Sequence, residues 1–95
     1  MIIYIDEKGN TNYIDTLEKD IRVVGDFTAD TIFKVSLELP TGRVTQEKEM
    51  IFEDNSWLYL LEESDKAHKG IIKYQVRAYR NNQIISTNRG LIPNY

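Results

Sequence analysis

Within residues 31–39 apolar and polar side chains alternate from Phe33 to Leu39. Phe33, Val35, Leu37 and Leu39 share one parity, and Lys34, Ser36 and Glu38 share the other. A strand sends successive side chains to opposite faces, whereas a helix needs apolar positions three and four apart. The stretch is therefore a strand with one dry face and one wet face. Pro40-Thr41-Gly42 ends it, since Pro cannot donate to a ladder and Gly accepts positive φ. Val44, Met50 and Phe52 then resume on a single parity, with Gln46 and Lys48 between them. This predicts a hairpin over residues 32–52. Residues 46–49 are polar on both faces and belong at a sheet edge or beyond the core.

The same period recurs downstream. Trp57, Tyr59 and Leu61 alternate with Leu58 and Leu60, so both faces are apolar and the strand is expected to be covered twice. The polar residues 62–70 form a connector with room for one helical turn closed by Gly70, and Glu62 and Lys66 could pair across it. Ile72, Tyr74, Val76 and Ala78 alternate with Lys73, Gln75 and Arg77. Asn81-Asn82 then suits a two-residue hairpin turn, and Ile84 and Ile85 begin the returning strand. Near the start, residues 2–5, 13–14 and 21–24 read as short strands, with a turn at 8–10 and room for a helical turn over 15–20. About eight strands at a spacing of roughly 8–12 residues predict an all-β sandwich or barrel in one domain over residues 1–95. The expected core is Phe33, Val35, Leu37, Phe52, Trp57, Tyr74 and Val76.

Composition narrows the chemistry. The 95 residues carry 12 Lys plus Arg against 15 Asp plus Glu, a net charge of −3 that offers no overall field toward a phosphate backbone. Cysteine is absent, so disulfides, thiolate nucleophiles and thiolate metal sites are excluded. No apolar run reaches signal-peptide or membrane-spanning length, and the expectation is a chain with no leader and no membrane segment. His68, the single histidine, lies in the polar connector without an arrangement of nucleophile and orienting acid, and reads as exposed. Glu47 and Glu49 read as a solvated edge rather than an acid–base pair. Asp26, Asp30, Asp54 and Asn55 read as turn residues rather than calcium ligands. Neither a metal nor a cofactor is expected.

The remaining signal is at the surface. Arg77, Arg80 and Arg89 gather near the final hairpin, and Arg77 shares the wet parity with Lys73, Gln75 and Tyr79. A basic stripe beside an aromatic could contact single-stranded nucleic acid. In so small a cluster on an acidic chain, a solvated face or one docked on an acidic partner is the better account. Residues 84–87 carry no charge, and a sheet edge must be covered, charged or paired. The candidate interface is therefore Tyr79, Arg77, Arg80, Ile85, Arg89, Ile92 and Tyr95, with self-association among the expected outcomes.

Trp57-Leu58-Tyr59-Leu60-Leu61, followed by Gly70 and the strand bearing Tyr74, Val76 and Ala78, resembles the last strands of an immunoglobulin-like sandwich, without the cysteine pair of antibody domains. The expected fold is thus a small immunoglobulin-like antiparallel β-sandwich. Within that class the order of parts is similar to the N-terminal domain of tail baseplate upper proteins from phages of Gram-positive hosts. The similarity runs over residues 20–92, through Gly25-Asp26, the strand at 32–39, Pro-Thr-Gly, Trp-x-Tyr, Gly70 with Tyr74, and Ile84-Ile85-Ser86-Thr87; the first 20 residues depart from it. It implies a structural role in a virion assembled in the host cytoplasm, docking onto other tail or baseplate proteins without catalysis. A carbohydrate-binding module is the alternative, and would need two or more aromatics aligned on one wet face.

Overall fold

The alternating segments become the facing surfaces of two sheets. A computed structural model describes residues 1–5, 11–14 and 20–95. Among them are nine strands: β1 (Ile2–Ile5), β2 (Thr11–Ile14), β3 (Asp20–Gly25), β4 (Ile32–Glu38), β5 (Lys48–Glu49), β6 (Ile51–Glu53), β7 (Ser56–Leu60), β8 (Gly70–Arg80) and β9 (Gln83–Asn94). One sheet runs β2-β1-β3-β7-β6 and the other β5-β4-β8-β9. From β1 onward this is the A-B-E-D and C′-C-F-G order of an immunoglobulin-like sandwich. One pairing departs from the antiparallel expectation: β1 runs parallel to β3, with Ile3 opposite Val23, while its other edge forms an antiparallel ladder with β2. The turn expected at 8–10 and the helical turn expected at 15–20 fall on residues outside the described set, Asp20 excepted.

Even-numbered and odd-numbered parities converge on one core. Ile3, Ile5, Ile21, Val23, Trp57 and Tyr59 line the first sheet; Phe33, Val35, Leu37, Ile72, Tyr74, Val76 and Ala78 line the second, and all are buried. The Phe33 and Trp57 rings meet across the interior with centroids 4.7 Å apart, and Phe27 meets Phe33 edge-on at 5.1 Å. The buried indole Nε1 of Trp57 donates to the Thr31 carbonyl at 3.1 Å, so its one polar atom is satisfied.

The hairpin expected over residues 32–52 is divided between the sheets. β4 pairs with β5 only at Lys34–Glu49 and Val35–Lys48, plus a bridge between Glu38 and Val44. Met50 then sinks into the core while its N–H donates to the Phe33 carbonyl at 2.7 Å. Beyond that anchor the chain crosses over, and β6 pairs with β7. Phe52 therefore ends at an open rim, 43% exposed, rather than in the core where parity alone placed it. The polar segment 46–49 does end at an edge, because β5 is the outermost strand of its sheet.

Double coverage of β7 holds for Trp57, Leu58 and Tyr59 but not for Leu60, which is 63% exposed. The β6–β7 turn has Asp54 and Asn55 at φ 51° and 56°, and the β8–β9 turn has Asn81 and Asn82 at φ 51° and 61°. Both are left-handed pairs of the kind that matches strand twist in two-residue hairpins. In the connector, Lys66 N–H reaches the Glu62 carbonyl at 3.3 Å, so one helical turn forms. Gly70 does not close that turn. It opens β8 at φ 137°, where a side-chain carbon would come within 2.9 Å of Pro40 Cβ. The Glu62–Lys66 pair is not made either: Lys66 meets Glu63 at 3.4 Å, and Glu62 meets Lys48 at 2.8 Å. Among the described residues, no helix is long and apolar enough to cross a membrane.

Candidate interaction surface

The wet parities of β4, β8 and β9 form the outer face of the four-stranded sheet. Register aligns them in rows: Glu38 beside Lys73 beside Leu91, Ser36 beside Gln75 beside Arg89, and Lys34 beside Arg77 beside Thr87. Glu47, just before β5, folds over the last row. Its carboxylate accepts from Arg77 Nη1 at 3.1 Å and from the Tyr79 hydroxyl at 2.9 Å. Lys34 Nζ lies 5.0 Å from the centre of the Tyr79 ring, within cation–π range. With its amide oriented to satisfy the network, Gln75 accepts from Arg77 Nη2 at 2.9 Å and from Arg89 Nη2 at 3.2 Å. Lys73 meets Glu38 at 3.4 Å.

The basic stripe seen in the sequence is thus answered in place by Glu38 and Glu47. The hydrogen bond that Arg77 donates to Glu47 raises the Arg77 pKa. The same carboxylate, by hydrogen bonding first and then with a smaller contribution from burial, raises that of the Tyr79 phenol. The protonated forms of both groups are the ones the carboxylate favours. Below this network, a shallow depression of about 440 Å³ opens among Ser36, Glu38, Val44, Gln75, Arg89 and Leu91. Val44 and Leu91 expose 64% and 57% of their surface there, so the depression has an apolar wall and a charged wall.

The seven candidate interface residues do not form one patch. Arg77, Tyr79 and Arg89 share the outer face. Arg80 turns away to the end of the sandwich, where Nη2 donates to the Thr31 hydroxyl at 3.2 Å and the Thr28 hydroxyl at 3.3 Å. Ile85 is exposed at a bulge: the register shifts between Ala78 and Tyr79, so an extra residue of β9 bows outward. Ile92 is a correction. It pairs opposite Ile72 on the inner parity and is only 4% exposed, so it belongs to the core and cannot contact a partner. Tyr95, beyond the end of β9, is 83% exposed.

Glu47 is the main residue that the sequence reading left as solvated edge. Nothing in the spacing signals its role, because the hydrogen bond to Arg77 joins residues 30 apart through a two-residue strand. His68 is exposed in the connector, as expected. Tyr79 and Tyr95 lie at opposite ends of the β8–β9 ladder, about 30 Å apart at strand rise. Tyr4, on the other sheet, is exposed alone on β1. No family model, curated protein or solved structure matches the chain.

Proposed function

We propose that this domain is a non-catalytic interaction module, and that its place is in a phage tail or baseplate. The observation that carries the module reading is the β8–β9 hairpin. It presents an outer face of ordered, partly neutralised polar groups beside an outer strand of 12 residues. Such a face suits a broad protein contact better than a concentrated charge or a deep catalytic cleft. The particle assignment is supported by the similarity in the order of parts over residues 20–92, from Gly25-Asp26 to the closing Ile84-Ile85-Ser86-Thr87.

The test is binding of the purified domain to phage tail and baseplate proteins, run in parallel with a glycan panel. Saturable binding to one of those proteins, weakened by Arg77→Glu on the outer face, is the expected result. Sugar affinity that disappears in Tyr79→Ala, with no protein bound, would overturn the proposal in favour of a carbohydrate-binding module.

A further inference from the structure

The two edges of the four-stranded sheet are built differently. β5 is two residues long and both are charged, a short edge of the kind that resists pairing. β9 is 12 residues long and its only charged residue is Arg89. Its protective devices stand at its ends: the bulge at Ile85 and Pro93, which cannot donate a hydrogen bond. Between them residues 86–92 form a regular ladder with β8 on one side, and no described strand lies on the other. By the rules that govern sheet edges, this is a template for another strand.

We infer that the strand added to β9 is β9 of a second copy, antiparallel about a two-fold axis at Asn88. This deepens the reading of the domain as an interaction module and rests on it. The choice of occupant follows from self-complementarity. Centring the axis on Asn88 sets Thr87 against Arg89 of the other copy, and Ile85 against Leu91. The last two are exposed apolar side chains, at 43% and 57% in the single chain. Asn88 then faces itself, and an amide is both donor and acceptor and so complements its own image. Moving the axis one residue to Arg89 would oppose two guanidinium groups, which destabilises a cross-strand pair. Arg77, one strand further in, does not repel the incoming Arg89, because Glu47 already holds it at 3.1 Å. The result is a continuous eight-stranded sheet made from two four-stranded ones.

Pairing about Asn88 spans residues 85–91, about 23 Å of edge. That is a small contact, so the dimer dissociates on dilution, on the order of micromolar concentration. Sedimentation of the full chain across that range is expected to show monomer and dimer in exchange. Thr87→Lys, an exposed change that places like charges in both cross-strand pairs, weakens the dimer by about tenfold with an unchanged circular dichroism spectrum. Adding Arg89→Glu to that variant makes each pair attractive and restores association.

The register has its own probe, since the chain contains no cysteine. Only the residue on the axis faces its own copy, so Asn88→Cys cross-links on mild oxidation far faster than Asn82→Cys at the exposed turn. A wild-type chain that stays monomeric throughout overturns self-pairing, as does equal cross-linking of the two cysteine variants. If that monomer still binds a tail protein, the module reading survives and only the second copy is lost. Glycan binding without any protein partner removes both.

Discussion

Tyr59→Phe removes one oxygen from the interior and exposes how the connector is held. The Tyr59 hydroxyl donates to Asp65 Oδ2 at 2.6 Å, and the same oxygen accepts the Glu62 N–H at 2.9 Å. Tyr59 is 8% exposed and Asp65 3%, so neither group has water as an adequate substitute. A hydroxyl-to-carboxylate bond of this length is charge-assisted, and such bonds contribute about 1.5–3 kcal/mol. The substitution keeps the ring, its place opposite Ile21, and the Lys48 ammonium 5.9 Å above it, so apolar burial does not change. A loss of about 2 kcal/mol is expected, which for a chain of this size lowers the melting temperature by roughly 8–16 °C. Thermal and urea unfolding followed by circular dichroism measure it, with an unchanged urea m-value showing that the folded surface is the same. Asp65→Asn keeps an acceptor and sacrifices only the charge, so its loss is smaller, about 1 kcal/mol. A double-mutant cycle then assigns a coupling of about 1 kcal/mol or more to the pair. A Tyr59→Phe loss under about 0.5 kcal/mol, the level of an ordinary surface change, would refute the buried charge-assisted bond.

Two further outcomes follow from close contacts elsewhere in the fold. Gly90 lies opposite Tyr74, and a side-chain carbon there would fall 2.6 Å from Tyr74 Cε2. Gly90→Ala is therefore expected to cost about 1–3 kcal/mol despite alanine's better strand entropy, and a neutral or stabilising result in calorimetry would contradict the contact. Thr28 donates its hydroxyl to Asp30, which with a smaller contribution from Arg80 holds the Asp30 carboxyl below its ordinary pKa. Because the folded value is the lower one, the associated stabilisation is present above the ordinary carboxylate range, near about pH 4, and is lost as pH falls through the folded value. Thr28→Ala should move the Asp30 side-chain carbon titration upward by NMR, and an unmoved curve would count against the bond.

Legibility in the sequence followed the strength of the two-residue period. β4 and β8 were readable because each has three or more apolar residues on one parity with charges between them, and their pairing makes Phe33, Val35, Leu37, Tyr74 and Val76 one surface. The Asn81-Asn82 and Asp54-Asn55 turns were readable because Asx residues tolerate the left-handed conformation both adopt. Phe52 failed because parity identifies a face but not a sheet, and Met50 carries the chain from one sheet to the other just before it. The parallel β1–β3 pair failed because apolar alternation is the same in either direction. At the surface, the wet parity of Arg77 and Tyr79 was legible, whereas Glu47 above them depends on where a loop returns. Ile92 was misplaced because Ile84 and Ile85 mark where the returning strand begins but not where it ends; β9 continues to Asn94 and keeps its inner parity as it does so.

That continuation has a mechanical cause which joins the core to the sheet edge. Asn94, 8% exposed, donates from Nδ2 to the Lys66 carbonyl at 3.2 Å and the His68 carbonyl at 2.8 Å. Those carbonyls belong to the connector that Asp65 organises, and Asp65 is in turn held by Tyr59 on β7. A polar chain thus runs from the interior of the five-stranded sheet, through the connector, to the last residue of β9 in the other sheet. At the opposite end the Asn81-Asn82 turn fixes where β9 begins. A strand secured at both ends resists fraying, so its outer edge is presented as an ordered row of backbone donors and acceptors with a reduced ordering cost on association. Loosening Tyr59 should therefore weaken two things together: global stability, through the lost bond, and strand pairing at residues 85–91, through the freedom returned to β9. Asn94→Ala separates them. It leaves the Tyr59–Asp65 bond intact, and should weaken pairing more than its own stability loss would predict.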